Sequence, residues 1–228
     1  MQHLSRFVPL LLAVWLLTTP AGASWAGNQA QGLWIDGANF LRDRDPERAV
    51  LLFNRALAAP DLDQATKVFV LQDRGVAWEK LGQSDKAMAD FESVIKLSGR
   101  HVGARVGLYR VWMAKGQPER ALPFIEEALK LSPDTAHLYI KRGYLWLKLE
   151  QAKKASWDFE KAVQLEVESR EAHFALALAY EKLGRPWKAY DHAKISARPI
   201  PSPEQRELVD RIYQKLVKPK KAVPGGSR

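Results

Sequence analysis

The sequence contains no cysteine, which excludes disulfides, thiolate metal sites and a cysteine nucleophile. Histidine is sparse, with five residues, and no two of them stand four apart as a metal-binding helix face would need. No glycine-rich phosphate loop is present. The one long apolar run, Phe7 to Leu17, is too short to cross a hydrocarbon core, which takes about 20 residues. What remains is ordinary for a folded soluble chain, with 46% hydrophobic and 27% charged residues, so general disorder is excluded.

The apolar run follows a short start carrying Arg6 and precedes Pro20, Ala21-Gly22-Ala23 and Ser24-Trp25-Ala26. A basic start, a short apolar stretch and small residues before a cut are the marks of a secretory signal peptide. Residues 1–26 are read as that segment, with cleavage after Ala23 or Ala26, or retention as an anchor, left open. No cysteine follows the apolar run, so a lipoprotein anchor is excluded. Export, with the periplasm or outer membrane as destination, is the resulting expectation. Loss of Arg6 lowers the formal charge only from +9 to +8. That excess suits anionic partners or simply solvated helix faces, and export argues against nucleic acid.

A period of 34 residues organises the rest. It carries Trp78 to Trp112, Trp146 and Tyr180, and Ala87 to Ala121, Ala155 and Ala189. Gly82 goes to Gly116, Glu150 and Gly184; Phe91 to Ile125, Phe159 and Ala193; Val94 to Ala128, Ala162 and Ser196. An upstream copy, Gly37, Phe40, Ala49, Phe53 and Ala56, is offset by 38, and the extra residues are assigned to the link Ala58 to Asp63. Bulky residues fill the space between helices, and alanines let helices approach. Glycines end the first helix of each pair. Pro46, Pro118 and Pro186, with Ser84 in the second copy, mark the first turn of the second helix. Glu150 in place of glycine predicts a different cap in the fourth copy. Tyr109, where Gly75 and Gly143 stand in other copies, predicts an altered crossing. The second helix of the fifth copy is the least well marked, because Ala193 and Ser196 occupy core columns.

A 34-residue period of these residue types resembles the tetratricopeptide repeat, a helix–turn–helix unit. The resemblance covers roughly Ala30 to Pro203. It implies an all-α, right-handed α-solenoid of five helix pairs (30–63, 68–101, 102–135, 136–169 and 170–203, within an array spanning 27–203). Ser202-Pro203-Glu204 reads as a cap and first turn, and 204–217 as a closing helix with Leu208, Val209, Ile212, Tyr213, Leu216 and Val217 on one face. Residues 218–228 read as an unstructured basic tail. Its Lys218, Lys220, Lys221 and Arg228 suggest membrane-surface contact or merely a solubilising end.

In such a solenoid the first helices line a concave groove. The resemblance then places Trp34, Phe69, Gln72, Val76, Val106, Arg110, Met113, His137, Ile140, Tyr144, Lys148, Phe174 and Leu178 in it. Aromatic anchors with an Arg or Lys for orientation suit an extended peptide or an amphipathic helix. A clamp for a peptide's terminal carboxylate, known in chaperone-binding members, is not expected. The positions that would supply it hold Trp34, Ala38, Gln72, Val76, Val106 and Arg110. His137 and His173, on consecutive first helices beside Glu171, invite a metal reading, but their spacing does not support it. Glu79, Glu126, Glu127 and Glu160 read as solvated charge. No catalytic residue and no cofactor is expected. The chain is read as an envelope adaptor or scaffold that holds a protein or peptide, the alternative being an accessory of envelope polysaccharide assembly or export that contacts carbohydrate.

Overall fold

The computed structural model describes residues 29–217; residues 1–26, expected to be a signal segment, and 218–228, expected to be an unstructured tail, lie outside the described residues. The described residues form eleven helices. Five pairs follow one another: α1 (Gln29–Arg42) with α2 (Pro46–Leu57), α3 (Gln64–Lys80) with α4 (Ser84–Leu97), and α5 (Val102–Ala114) with α6 (Pro118–Leu131). Next come α7 (Ala136–Lys148) with α8 (Ala152–Leu165), and α9 (Arg170–Lys182) with α10 (Pro186–Ser196), before the single α11 (Pro203–Val217). The substantial contacts run within a pair, from each second helix to the next first helix, and between some successive first helices. The architecture is an all-α solenoid. None of these helices is long and apolar enough to cross a membrane.

Three of the pairs are fixed by a ring pressed against glycine backbone. Phe53, Phe91 and Phe159 are fully buried, each facing the glycine sixteen residues earlier. A Cβ added to Gly37 would lie 2.6 Å from the Phe53 ring, and one on Gly75 would lie 2.7 Å from Phe91. Gly107 of the next first helix meets the same Phe91 ring, so that ring is held between two bare stretches of helix. The third pair inverts the arrangement. Tyr109 takes the glycine place and the smaller Ile125 the ring's place, both buried. The Tyr109 hydroxyl donates to the Lys141 carbonyl at 2.8 Å, so its side chain stands between α5 and α7. The fifth pair uses Ala177 and Ala193. Its second helix is formed, with Ser196 buried and its hydroxyl donating to Ala193 O.

A second column alternates in the same way. Arg74 grips Asp90, and Arg142 grips Asp158, each through two hydrogen bonds of 2.6–2.9 Å. The third pair places Leu108 and Phe124 at these positions, within one apolar cluster. Asp158 is fully buried, so the carboxylate depends on its partner, whereas an apolar pair of similar bulk serves equally well.

The five turns within pairs are the same turn. Gln83 N–H donates to Trp78 O at 2.9 Å, and the bond recurs from Asp45, Gln117, Gln151 and Arg185. Such a closure needs one left-handed residue, supplied by Gly82, Gly116 and Gly184 at φ +66 to +70° and by Arg44 (φ 65) and Glu150 (φ 59) elsewhere. The expectation of a different cap at Glu150 is therefore wrong: the flanking helices impose the turn whatever the side chain. Pro46, Pro118 and Pro186 open their helices as expected. The extra residues of the second copy are not confined to its link. The helix α3 has 17 residues where α5, α7 and α9 have 13, so one added turn, Gln64 to Lys67, extends its start, capped by Asp63.

A cation covers the aromatic column in every pair. Arg48 lies over Phe40, Lys86 over Trp78, Arg120 over Trp112, Lys154 over Trp146 and Lys188 over Tyr180, at 4.4–5.6 Å. Each contributes about 0.5–1 kcal/mol at an exposed site. Ser202 and Gln205 cap α11 reciprocally, Gln205 N–H to Ser202 Oγ and Ser202 N–H to Gln205 Oε1. Leu208 and Ile212 close the last core, while Tyr213 and Val217, expected on the same face, are exposed.

Two outcomes are expected. Arg142→Leu alone destabilises by about 3–5 kcal/mol because it strands a buried carboxylate, and adding Asp158→Phe, which copies the third pair, recovers most of the loss in urea unfolding. Glu150→Gly stabilises by about 1 kcal/mol by relieving the left-handed backbone, read as a rise in Tm of about 2–4 °C for a chain of this size.

Candidate protein-binding groove

The first helices α1, α3, α5, α7 and α9 bring successive positions of the repeat onto one face. Depressions among the described residues mark it. One of about 470 Å³ is lined by Val76, Glu79, Lys80 and Arg110. A second, about 450 Å³, lies among Met113, Tyr144, Leu147, Lys148, Leu178 and Lys182. A third, about 440 Å³, is bounded by Arg170, Glu171 and Phe174 with Ser202, Glu204 and Gln205.

At the amino-terminal end Trp34 stacks on Phe69 with ring centroids 5.2 Å apart, and its indole N–H donates to Asp73 at 2.7 Å. Burial raises the Asp73 pKa, and the indole bond opposes the shift. Phe69 keeps 48% of its surface exposed. Gln72 is half-buried, and among the described residues its Oε1 accepts no hydrogen bond. Val106 is half-buried beside it in the repeat register. Arg110 is already engaged, holding both Glu79 oxygens at 2.6–3.1 Å. Tyr144 meets the buried Phe159 edge-on at 5.3 Å. Its pKa is pushed up to about 12, by burial first and then by Glu171. Lys148 and His137 are exposed, and Phe174 is half-buried.

The structure corrects parts of the expected groove. Ile140 is 3% exposed and belongs to the core cluster. The reading of Glu79 as solvated charge fails, since it is half-buried against Arg110. Glu160 accepts from the Tyr180 hydroxyl at 2.7 Å, and Glu127 pairs with the buried Arg105. Sequence reasoning missed Lys141 and named Glu171 only beside the histidines, yet Lys141 feels Arg110, Glu79 and Glu171 together. The pKa of Lys141 is lowered, by burial and then by Arg110, with Glu171 and Glu79 opposing. The register carried that signal, because Lys141 lies one residue past the Ile140 column.

His173 does not join His137. It is buried, stacked on His192 with Nδ1 atoms 2.8 Å apart, and its Nε2 lies 2.9 Å from the Val167 carbonyl. A carbonyl only accepts, so His173 carries its proton on Nε2 and His192 donates from Nδ1. Among the described residues no group of three or more metal-ligating side chains gathers. His101 caps α5, its Nδ1 accepting from Ala104 N–H.

These histidines set a pH dependence. The pKa of His192 is lowered from the usual 6.5, by burial first and then by His173, with Asp191 and Glu160 opposing and Lys188 adding to it. Burial is also the first cause of the lowering at His101 and His137. A folded pKa below the unfolded one means the unfolded chain binds more protons as pH falls, so stability is complete above 6.5 and declines below it. Thermal unfolding should show that decline, and His192→Gln should make it shallower.

No family model matches the sequence, and a sequence comparison with curated proteins finds no match. Solved structures do match. A thermophilic tetratricopeptide-repeat protein from Thermus thermophilus is 25% identical over 83% of this chain and 100% of its own, with a TM-score of 0.56. MamA from Desulfovibrio magneticus RS-1 is 24% identical over 82% of this chain and 97% of its own, at 0.64. A tetratricopeptide-repeat protein from Parabacteroides merdae is 17% identical over 83% and 74%, at 0.71. With its repeat columns, paired helices and recurrent turn, the chain has the tetratricopeptide-repeat fold.

Proposed function

We propose that the chain is a non-catalytic scaffold that holds a segment of a partner protein along its first-helix face. The observation that carries this reading is the juxtaposition of half-exposed aromatic surface and fixed charge there. Phe69, Tyr144 and Phe174 offer anchors, while the Arg110–Glu79 pair, Lys141 and Glu171 offer orientation. An extended peptide or amphipathic helix meets such a surface with a few buried side chains and a polar margin. Because Glu79 already satisfies Arg110, an incoming carboxylate would have to displace it, which favours apolar anchors over a charge clamp. The ring faces of Trp34 and Phe69 are turned on each other, which leaves less open aromatic face for stacking on sugar. The site of action we propose is the cell envelope, supported by the signal-like sequence of residues 1–26.

A photo-cross-linker at position 144 or 69, introduced in the native host, is expected to give a discrete protein adduct that a probe at the outward Glu92 does not. Tyr144→Ala and Phe174→Ala should each weaken the recovered complex by about 1–2 kcal/mol. Recovery of polysaccharide without a reproducible protein would overturn the reading.

A further inference from the structure

The turns within pairs all lie on one edge of the solenoid, and positive charge climbs along it. Over residues 42–48, 80–86, 114–120, 148–154 and 182–188 the formal charge runs 0, +1, +1, +2 and +3. The described residues as a whole hold 30 basic and 26 acidic side chains, so these five short segments carry more than the entire excess. The last of them has Lys182, Arg185 and Lys188 and no acid, and all three are exposed. Between them stands Trp187, the second residue of α10, with 68% of its surface exposed.

The end of the closing helix reaches the same corner. Lys215 Nζ lies 2.5 Å from Glu181 Oε1, and Arg211 holds the same carboxylate. Glu181 is the penultimate residue of α9. Arg211 and Lys215 therefore bring the last turns of α11 to this edge.

We propose that this corner, Trp187 among Lys182, Arg185 and Lys188, docks on an anionic lipid surface. An exposed indole in the same turn region as three exposed cations matches the chemistry of the headgroup layer, where tryptophan settles at the interface and basic groups are drawn to anionic lipid. A linear polyanion is the poorer fit. It would draw on the edge as a whole, yet the charge is gathered at one end. The rings along the edge, Trp78, Trp112, Trp146 and Tyr180, are each already engaged by a cation and none is as exposed as Trp187. Corner contact with a flat surface uses what is exposed and leaves most of the first-helix face clear.

The test uses the chain from Gly27 to Arg228, so that the apolar run of the leader cannot insert, and the described fold, 29–217, is retained whole. Sedimentation with vesicles of phosphatidylcholine, with and without phosphatidylglycerol, is expected to show binding only to the anionic vesicles, weakening with salt. Combined Lys182→Glu, Arg185→Glu and Lys188→Glu should lower partitioning by at least about tenfold, and Trp187→Ala should lower it less. The charge-matched combination Lys67→Glu, Lys96→Glu and Lys130→Glu, on other surfaces, should retain most of the binding, with thermal unfolding confirming that both triple variants fold. Equal loss in the two triple variants, equal binding to neutral vesicles, or loss only on truncation after Val217 would overturn the proposal. Binding to soluble polyglutamate or dextran sulfate without binding to vesicles would overturn it in favour of a polymer site.

Discussion

The fold rests on a ring lying against bare helix backbone. Where Phe53, Phe91 and Phe159 meet Gly37, Gly75 and Gly143, two helices come close enough that a single methyl group would collide with the ring. In these pairs that contact fixes the rotation of the first helix about its own axis, and the rotation decides which side chains look into the groove and which are buried. The third pair reaches a comparable result by trading volume, with Tyr109 large where Ile125 is small. The fifth uses two alanines. What is kept from pair to pair is the filled space between the helices rather than the identity of either residue.

The same exchange governs the buried charges. Arg74 with Asp90 and Arg142 with Asp158 occupy a column that Leu108 and Phe124 fill elsewhere. Two solutions of very different polarity coexist in one chain because each is complete in itself. The groove differs in kind. Of its charged members Glu79, Arg110 and Lys141 are half-buried while Lys148 and Glu171 are exposed, and the influence of Arg110 on Lys141 is opposed by Glu171 and Glu79. A ligand there meets a surface whose electrostatics are largely balanced before it arrives.

Much of the fold is legible in the sequence because the period repeats the physical demands. The aromatic, alanine and glycine columns, the prolines that open second helices and the Ser202 cap all fall where the structure puts them. The failures have a common source. Glu150 misleads because a turn imposed by two packed helices outweighs the preference of one residue. The added turn of α3 is hidden because an insertion in a helix and one in a link look alike in register. A column places Ile140 and His173 on the first helices, but it does not say how far a neighbouring helix covers them. The five cations over the aromatic column are open to the same reading, since each stands eight residues after its ring.

Substantial contact in this molecule runs only between close neighbours along the stack. A solenoid connected in that way is compliant in series, because a small rotation at each interface adds to the next, and among the described residues no substantial contact spans the ends to resist it. Its pitch is therefore a soft coordinate, and the first-helix face can lengthen or tighten without opening any single core.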